Sequence, residues 1–252
     1  MDNQITVNGI VVSSMPVAET DKRVVLLTKE LGKISAFARG AVRPNSPLLA
    51  AGNPFCFGTF TLHSGRTAYT LRSVKMTARF ESLLNDLSSV WYGYYFLEVA
   101  EYYGRENMDE SERINLLYLS LRALEKKRQS FDLIRTIYEI RTLGVNGEYP
   151  NVFTCVSCGG EAQSKRLSHF SVKAGGCFCE ECVNRKEGHP ADLRPLSVSA
   201  LYTLQFILST PLPKLYTFDV TPEVLEELSS LVRTWRRVYS GHKYKSEEFI
   251  GL

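Results

Sequence analysis

The sequence reads C-V-S-C-G-G at residues 155–160 and C-E-E-C at residues 179–182. Each C-x2-C motif brings two thiolates close enough to chelate one metal ion from a tight turn. Two such motifs in one short stretch complete a tetrahedral four-thiolate site of the kind that binds zinc. The predicted zinc ligands are Cys155, Cys158, Cys179 and Cys182.

This predicted zinc site is structural rather than catalytic, because four thiolates leave no open position for water or substrate. The metal would stabilise a polar segment that has too few apolar residues to form a core of its own. The alternatives are two buried cysteine pairs or redox-active C-x-x-C motifs, and a redox motif is expected beside a βαβ pattern, which the sequence lacks. Cys177 could replace Cys179 as a ligand, but Cys179 forms the better-spaced pair with Cys182. Cys56 lies in an apolar run and is predicted to belong to the core.

The bulk properties fit a protein that works inside the cell. A chain of 252 residues suits one or two domains with a substantial core. The N-terminal sequence lacks a basic region followed by an apolar one, so no signal peptide is expected. No apolar run approaches the roughly 18 residues of a membrane span, so we predict no membrane association. Cysteines in metal spacing favour a reducing cytosol over a disulfide framework.

The net charge of +3 conceals an uneven distribution of charge. Residues 1–80 contain ten Lys and Arg against four Asp and Glu, whereas residues 81–150 contain eight against twelve. A basic N-terminal third on a nearly neutral chain indicates a local surface for a polyanion. Chance clustering of solvated side chains would produce the same count.

The first 79 residues have the pattern of β-structure, with β-branched and alternating runs separated by turn residues. A long loop with two glycines and two prolines, residues 39–53, interrupts them. Five short strands around one long loop predict a small closed barrel. An OB-fold, which binds oligonucleotides, is the natural candidate, and an SH3-like barrel fits the pattern as well. The predicted strands are Ile5–Val12, Lys22–Thr28, Lys33–Ala38, Phe55–His63 and Ala68–Met76.

The periodicity becomes helical after Phe80 and stays so outside the cysteine segment. We therefore predict an α+β protein, with an OB-fold domain at residues 1–79 and an α-helical domain at residues 80–252 that contains a zinc-binding segment at 151–190. The predicted helices span residues 88–103, 114–124, 131–143, 197–208 and 222–239. The last begins at Thr221-Pro222, a hydroxyl N-cap followed by proline at the first helical position.

The sequence contains none of the common catalytic motifs. The sequence has no phosphate-binding loop G-x-x-x-x-G-K-[ST], no H-E-x-x-H and no G-x-S-x-G. Neither cysteine pair follows a proline and no histidine has Glu two residues later, so the deaminase signature is absent. We predict that the protein is not an enzyme and that it has no catalytic residues.

Several stretches resemble the bacterial recombination-mediator and repair protein family RecO. L-T-K-E-L-G-K-I-S-A-F-A-R-G-A-V-R-P-N-S, residues 27–46, is similar to its signature strand and loop. Y-G-Y-Y-F-L-E-V-A-E-Y-Y, residues 92–103, is similar to its first long helix. The first cysteine pair and H-F-S-V-K-A-G-G-C-F-C-E-E-C, residues 169–182, match its zinc segment, in which Gly-Gly stands two residues before the second pair. The resemblance spans nearly the whole chain and favours Cys179 over Cys177.

The resemblance implies a mediator of DNA repair and recombination that lacks enzymatic activity. Proteins of this family bind single- and double-stranded DNA, anneal complementary strands, and work with RecR and in some organisms with RecF. They help load the recombinase onto DNA coated with single-strand-binding protein, whose C-terminal tail is an expected partner. The expected location is the cytoplasm, in association with the nucleoid.

The residues themselves suggest where DNA would bind. Basic side chains of the predicted barrel fall at strand ends and loops, including Arg72, where such folds track a phosphate backbone. The predicted contacts are Lys33, Arg39 and Arg43, followed by Lys22, Arg23 and Arg66. Phe37, Phe57 and Tyr69 are candidates for base stacking, although core packing is the commoner role of each.

Two alternatives belong to other functional classes. An RNA- or transcription-linked binding module would also combine an OB-like barrel with zinc knuckles, and it would lack annealing activity. A zinc hydrolase or deaminase would need an open coordination position on the metal.

Overall fold

The computed structural model describes residues 3–66, 68–162, 164, 166–185 and 188–251. The chain forms two compact units. One contains Met1–Lys127 and Tyr244–Leu252, and the other contains Arg128–Lys243. Within the described residues, no helix is both long and apolar enough to cross a bilayer.

The first unit begins with five strands that close into a barrel in the order β1-β2-β3-β5-β4. Neighbours pair antiparallel except for β3 and β5, which run parallel. This is the arrangement of an OB-fold and confirms the predicted barrel. The strands are β1 (Gln4–Pro16), β2 (Lys22–Thr28), β3 (Gly32–Ala38), β4 (Cys56–Ser64) and β5 (Tyr69–Arg79).

The first strand is longer than predicted. A bulge between Val11 and Ser13 shifts the register with β2, and pairing then continues to Pro16, which lies opposite Lys22. An extra residue bends a strand and increases its twist, so β1 can follow the curved barrel wall. The strand therefore ends at Pro16 rather than at the predicted Val12.

Alternation along the strands separates the barrel interior from its outer surface. On β2 and β3, Val24, Leu26, Ile34 and Ala36 are buried in the core, whereas Phe37 is exposed. Successive strand side chains point to opposite faces. The free thiol of Cys56 is buried in the same core.

Helices complete the first unit around the barrel. A short helix, α1 (Leu48–Ala51), lies in the long loop, and a 3-10 turn (Glu81–Asn85) precedes α2 (Leu87–Tyr103) and α3 (Ser111–Lys126). The Asp86 carboxylate caps α2 by accepting from the Ser89 backbone N–H, which satisfies one donor of the first turn.

Aromatic packing joins these helices to the barrel. Phe57 on β4 packs edge-on against Tyr118 of α3, with ring centroids 5.1 Å apart, and Phe55 packs against Tyr94 of α2 in the same way. The first compact unit therefore extends beyond the change from strands to helices at residue 79, as far as Lys127.

The second unit consists of helices and a small three-stranded sheet of order β7-β6-β8. Its helices are α4 (Phe131–Val145), α5 (Glu180–Val183), α6 (Val198–Ser209) and α7 (Pro222–Tyr239), and its strands are β6 (Leu167–Ser171), β7 (Gly176–Cys179) and β8 (Arg194–Pro195). Helix α7 begins at Pro222 with Thr221 at the N-cap position, as predicted, but the Thr221 hydroxyl forms no cap hydrogen bond.

A buried charged cluster fixes α4 against α7. The Glu139 carboxylate, whose side chain is 1% exposed, accepts from Arg135 of its own helix at 3.2 Å and from Arg236 of α7 at 3.0 Å. Thr136 and Ser229 join the same helices through a buried hydroxyl hydrogen bond of 2.9 Å. Buried charges of this kind are tolerated only when they are paired.

Candidate nucleic-acid interface and metal centre

One outer face of the barrel is built from β2, β3, β5 and β4. In a single cross-strand row, Arg23 lies opposite Phe37, Phe37 lies beside Thr70, and Thr70 lies opposite His63. Residues paired in register lie on the same face of a sheet. The row therefore places Arg23 next to the exposed ring of Phe37, with Thr70 between that ring and the His63 imidazole.

Two hollows lie on this face. One, of about 490 Å³, is lined by Arg23, Ser35 and Tyr69 among others. The second, of about 430 Å³, is lined by Arg39, His63 and Arg72. Phe37 and Arg66 line both hollows. We call Arg23, Phe37, Arg39, Arg66 and Arg72 the arginine face.

The loop after β3 presents Arg39 and Arg43 from a series of turns. The Gly40 backbone N–H donates to the Asp21 carboxylate at 2.8 Å, and the Arg43 N–H donates to the Gly40 carbonyl at 3.1 Å. Gly40 has φ +67°, a left-handed conformation that favours glycine. The loop is therefore anchored to the start of β2.

The carboxylate of Asp21 interacts electrostatically with Arg39 and Arg43. The hydrogen bond from the Gly40 N–H holds the pKa of Asp21 below its ordinary value, aided by the Thr20 hydroxyl and by the positive fields of Arg39 and Arg43. The lowered pKa favours the ionised carboxylate, which is the form that accepts the hydrogen bond from the Gly40 N–H most strongly. Only the tertiary contact with Gly40 indicates this role, since an aspartate before a strand has no distinctive sequence signal.

The predicted DNA contacts fall into two groups in the structure. Arg39, Arg43 and Arg66 are exposed, and none of the three forms an ion pair with another residue in the part of the chain that the structure describes. Arg23 is also exposed, and its Nε donates to the Ser35 hydroxyl at 2.8 Å. These four guanidinium groups can meet a polyanion from solvent.

The two predicted lysines have their ammonium groups engaged within the protein. Lys33 Nζ donates to the Glu101 backbone carbonyl at 2.7 Å, and Lys22 Nζ donates to Asn53 Oδ1 at 2.7 Å. Both side chains are half-buried. Contact with DNA would require each lysine to give up its partner.

Arg72 joins the arginine face although it was not among the predicted contacts. It is exposed and lines the second hollow. Arg72 is the extra residue of a bulge in β5, between Leu71 opposite Leu62 and Ser73 opposite Thr61, so the period of two does not by itself set its direction. The pairing of β5 with β3, which brings Arg72 close to Arg39, is a tertiary feature.

The three candidate stacking aromatics have different surroundings. Phe57 is 6% exposed and packs against Phe80 and Tyr118. Tyr69 is half-buried and packs against the barrel core. Phe37 is 41% exposed. Phe37 is the most exposed of the three.

The four predicted zinc ligands come together in the second unit. Their Sγ atoms all lie within 4.8 Å of one another. Three of the cysteines are buried and Cys158 is exposed. The four residues are Cys155, Cys158, Cys179 and Cys182.

Backbone turns position these thiols. The Cys155 N–H donates to the Gly160 carbonyl at 2.8 Å, which closes the first turn. Cys179 ends β7 and Cys182 lies in α5, and the Cys179 N–H donates to Cys155 Sγ at 3.3 Å. Burial raises the pKa of Cys155, but the N–H donors of Cys179, Cys158 and Ser157 outweigh it and lower the pKa to about 6.

Cys177 lies outside the thiol cluster. It is fully buried on β7, and its backbone N–H donates to the Asn151 carbonyl at 2.8 Å. Burial raises the pKa of its thiol to about 12. The structure therefore groups Cys179, and not Cys177, with the other three cysteines.

The Gly-Gly pair before the second motif has a steric reason. Gly175 has φ +72° at the turn into β7. A Cβ on Gly176 would lie 2.4 Å from the Asn151 carbonyl oxygen, much closer than any real contact. The two glycines let the backbone pass against residue 151 and bring β7 to the thiol cluster.

Comparisons with known proteins cover nearly the whole chain. Residues 1–80 match the family described as "Recombination protein O N terminal", and residues 84–248 match "Recombination protein O C terminal". A "DNA repair protein RecO" from Bacillus pumilus is 34% identical over 242 residues, 96% of this chain and 91% of its own. Proteins of the same description are 32% identical in Symbiobacterium thermophilum, over 97% of this chain and 95% of theirs, and 29% in Acetivibrio thermocellus, over 98% and 96%.

Proposed function

Because the chain belongs to the RecO family of DNA repair proteins, we propose that it binds DNA through the outer face of its barrel and anneals complementary strands. It acts as a recombination mediator that loads the recombinase onto single strands coated with single-strand-binding protein. Its partners in this role are RecR, the C-terminal tail of single-strand-binding protein and, in some organisms, RecF.

The exposed guanidinium groups of Arg39, Arg43 and Arg66 are the observation that supports this proposal most strongly. A guanidinium has a planar fork of donors that matches phosphate oxygens and stays charged at every physiological pH. We expect Lys33 and Lys22 to contribute less than these arginines, because their ammonium groups already have hydrogen-bond partners within the protein.

Annealing requires two polyanions to approach each other. A cationic surface lowers their mutual repulsion by neutralising phosphates, and the released counterions make binding weaker as salt rises. If about four phosphates are neutralised, the log–log salt slope on single strands is roughly −3. Binding through phosphates depends little on base sequence.

We assign one zinc ion to the four-cysteine cluster of the second unit. Zinc–thiolate bonds of about 2.3 Å in a tetrahedron place the sulfurs about 3.8 Å apart, and Cys158 Sγ lies 3.9 Å from Cys179 Sγ. Four thiolates saturate the metal, so its role is structural. The ion would hold β7 and α5 to the turn at Cys155.

The proposed activity needs no covalent chemistry. Holding and pairing strands is a binding function, which agrees with a family named for DNA repair rather than for a reaction. Because the ligand is DNA, we place the protein in the cytoplasm, at the nucleoid.

The test is ATP-free annealing of two complementary labelled oligonucleotides at two salt concentrations, with and without single-strand-binding protein. Annealing that weakens with salt and persists on coated strands supports the proposal. Absence of annealing by folded, zinc-containing protein would overturn it. A preference for RNA in the same assay would instead favour an RNA- or transcription-linked binding module.

A further inference from the structure

Phe37 occupies a special position on the barrel surface. Its side chain is 41% exposed, and it lies where the two hollows of the arginine face meet, because it lines both. The helices of the first unit cover the outward ring of Phe57. No aromatic contact of Phe37 with another ring occurs among the residues that the structure describes.

Exposure by itself says little, since single apolar side chains are common on protein surfaces. The cations on both sides of this ring are more informative. Arg23 is its register partner on β2 and lines the hollow on one side, and Arg66 lines both hollows. Arg39 and Arg72 line the hollow on the other side.

This arrangement matches the chemistry of a single nucleic-acid strand. Such a strand alternates flat, apolar base faces with charged phosphates, and proteins bind it by combining aromatic platforms with basic grooves. In a duplex each base face is already covered by its neighbours, so an aromatic ring can reach it only after unstacking.

We propose that Phe37 stacks on an unpaired base and makes the arginine face selective for single strands over duplex. One of the phosphates that flank this base then lies over the hollow lined by Arg23. The other lies over the hollow lined by Arg39. Guanidinium contacts occur with either form of DNA, whereas the ring contact occurs only with an unpaired base. This inference rests on the proposed function, since it assumes that DNA binds this face.

The experiment measures binding of the full-length protein to a labelled single-stranded oligonucleotide and to the matching duplex. We expect Phe37→Ala to weaken single-strand binding about 5- to 100-fold and duplex binding less than about 2-fold. Phe37→Leu, which keeps apolar bulk but lacks a π face, should behave like Phe37→Ala. Phe37→Trp should retain the single-strand affinity.

Met76→Ala is the matched control, because Met76 is a 47% exposed apolar residue of the same barrel that lines neither hollow. It should change neither affinity. A second probe is a single strand of abasic nucleotides, which has phosphates but no bases. The unaltered protein should bind this strand about as weakly as Phe37→Ala binds the normal strand.

The outcomes separate the two hypotheses. If the unaltered protein binds neither form of DNA, the proposed function fails. If it binds DNA, and Phe37→Leu loses nothing or loses single-strand and duplex affinity equally, the role of Phe37 is overturned while the proposed function stands. If abasic strands bound as tightly as normal strands, the role of Phe37 would be overturned as well.

Discussion

The ammonium group of Lys33 donates a hydrogen bond to the backbone carbonyl of Glu101 over 2.7 Å. Glu101 lies in the last turn of α2, where backbone carbonyls lack partners within the helix. A cation there also interacts favourably with the helix dipole. Lys33 therefore joins the β2–β3 turn to the end of α2.

We expect Lys33→Met to lower the free energy of unfolding by about 1 kcal/mol, since a half-buried, charge-assisted hydrogen bond is lost. The salt slope of DNA binding should change little. Urea denaturation and binding at several salt concentrations measure the two effects. Lys75→Met, an exposed lysine on β5, is the stability control. A slope flattened by about 0.7, the effect of one phosphate contact, would show that Lys33 leaves Glu101 to bind DNA.

Replacing both exposed loop arginines, Arg39→Ala with Arg43→Ala, should weaken DNA binding without unfolding the barrel. If each arginine neutralises one phosphate, the single-strand salt slope flattens by about 1.4. Titrations from low to moderate salt measure this slope. The control removes two exposed charges from the other unit, Lys214→Ala with Arg237→Ala, and should leave the slope unchanged. An unaltered slope in the loop variant would contradict the assignment.

Asp21 can be tested with two variants that both remove its charge. Asp21→Asn keeps an oxygen that accepts the Gly40 N–H, whereas Asp21→Ala leaves that donor without its partner. Because the negative charge opposes DNA, we expect Asp21→Asn to bind at least as tightly as the unaltered protein and Asp21→Ala to bind several-fold more weakly than Asp21→Asn. Equal affinities would show that the hydrogen bond does not position the loop.

Asp21 also predicts a pH dependence. Its pKa in the folded protein lies below the ordinary value of 3.8, so its contribution to stability is present above that value and disappears as the pH falls through the folded pKa. The unaltered protein should therefore be more stable than Asp21→Asn near pH 6, with the difference vanishing in strong acid. Thermal denaturation across this range measures it, and a constant difference would contradict the electrostatic account.

The metal centre predicts about one zinc ion per chain and its loss in Cys158→Ser. Cys158 is exposed, so the variant removes a ligand without disturbing the core, and reduced thermal stability would follow from the lost metal. Elemental analysis with thermal denaturation measures both. Cys177→Ala is the control and should keep its zinc. If Cys158→Ser kept its zinc and Cys177→Ala lost it, Cys177 rather than Cys158 would be the zinc ligand.

Much of the architecture follows from local patterns. Residues Lys33–Ala38 alternate in side-chain character along the sequence, which predicts a barrel strand because side chains in a strand have a period of two. The two C-x2-C motifs predict the thiol cluster because a tight turn is enough to bring both sulfurs of each pair together. The position of the bulge, between Val11 and Ser13, does not follow from these patterns, since it depends on the curvature of the closed barrel.

Local sequence patterns define the candidate residues: strand-like runs that indicate a barrel, two thiol pairs that can meet, and arginines and aromatics within the first 80 residues. Long-range packing then selects which of these residues remain available to a ligand. Lys33 is engaged by Glu101, which is 68 residues away in sequence, and Phe57 is covered by Tyr118 of α3, while Phe37 stays open. The reason is physical: alternation sets which side of a strand a residue faces, but what lies against that side depends on the packing of distant segments.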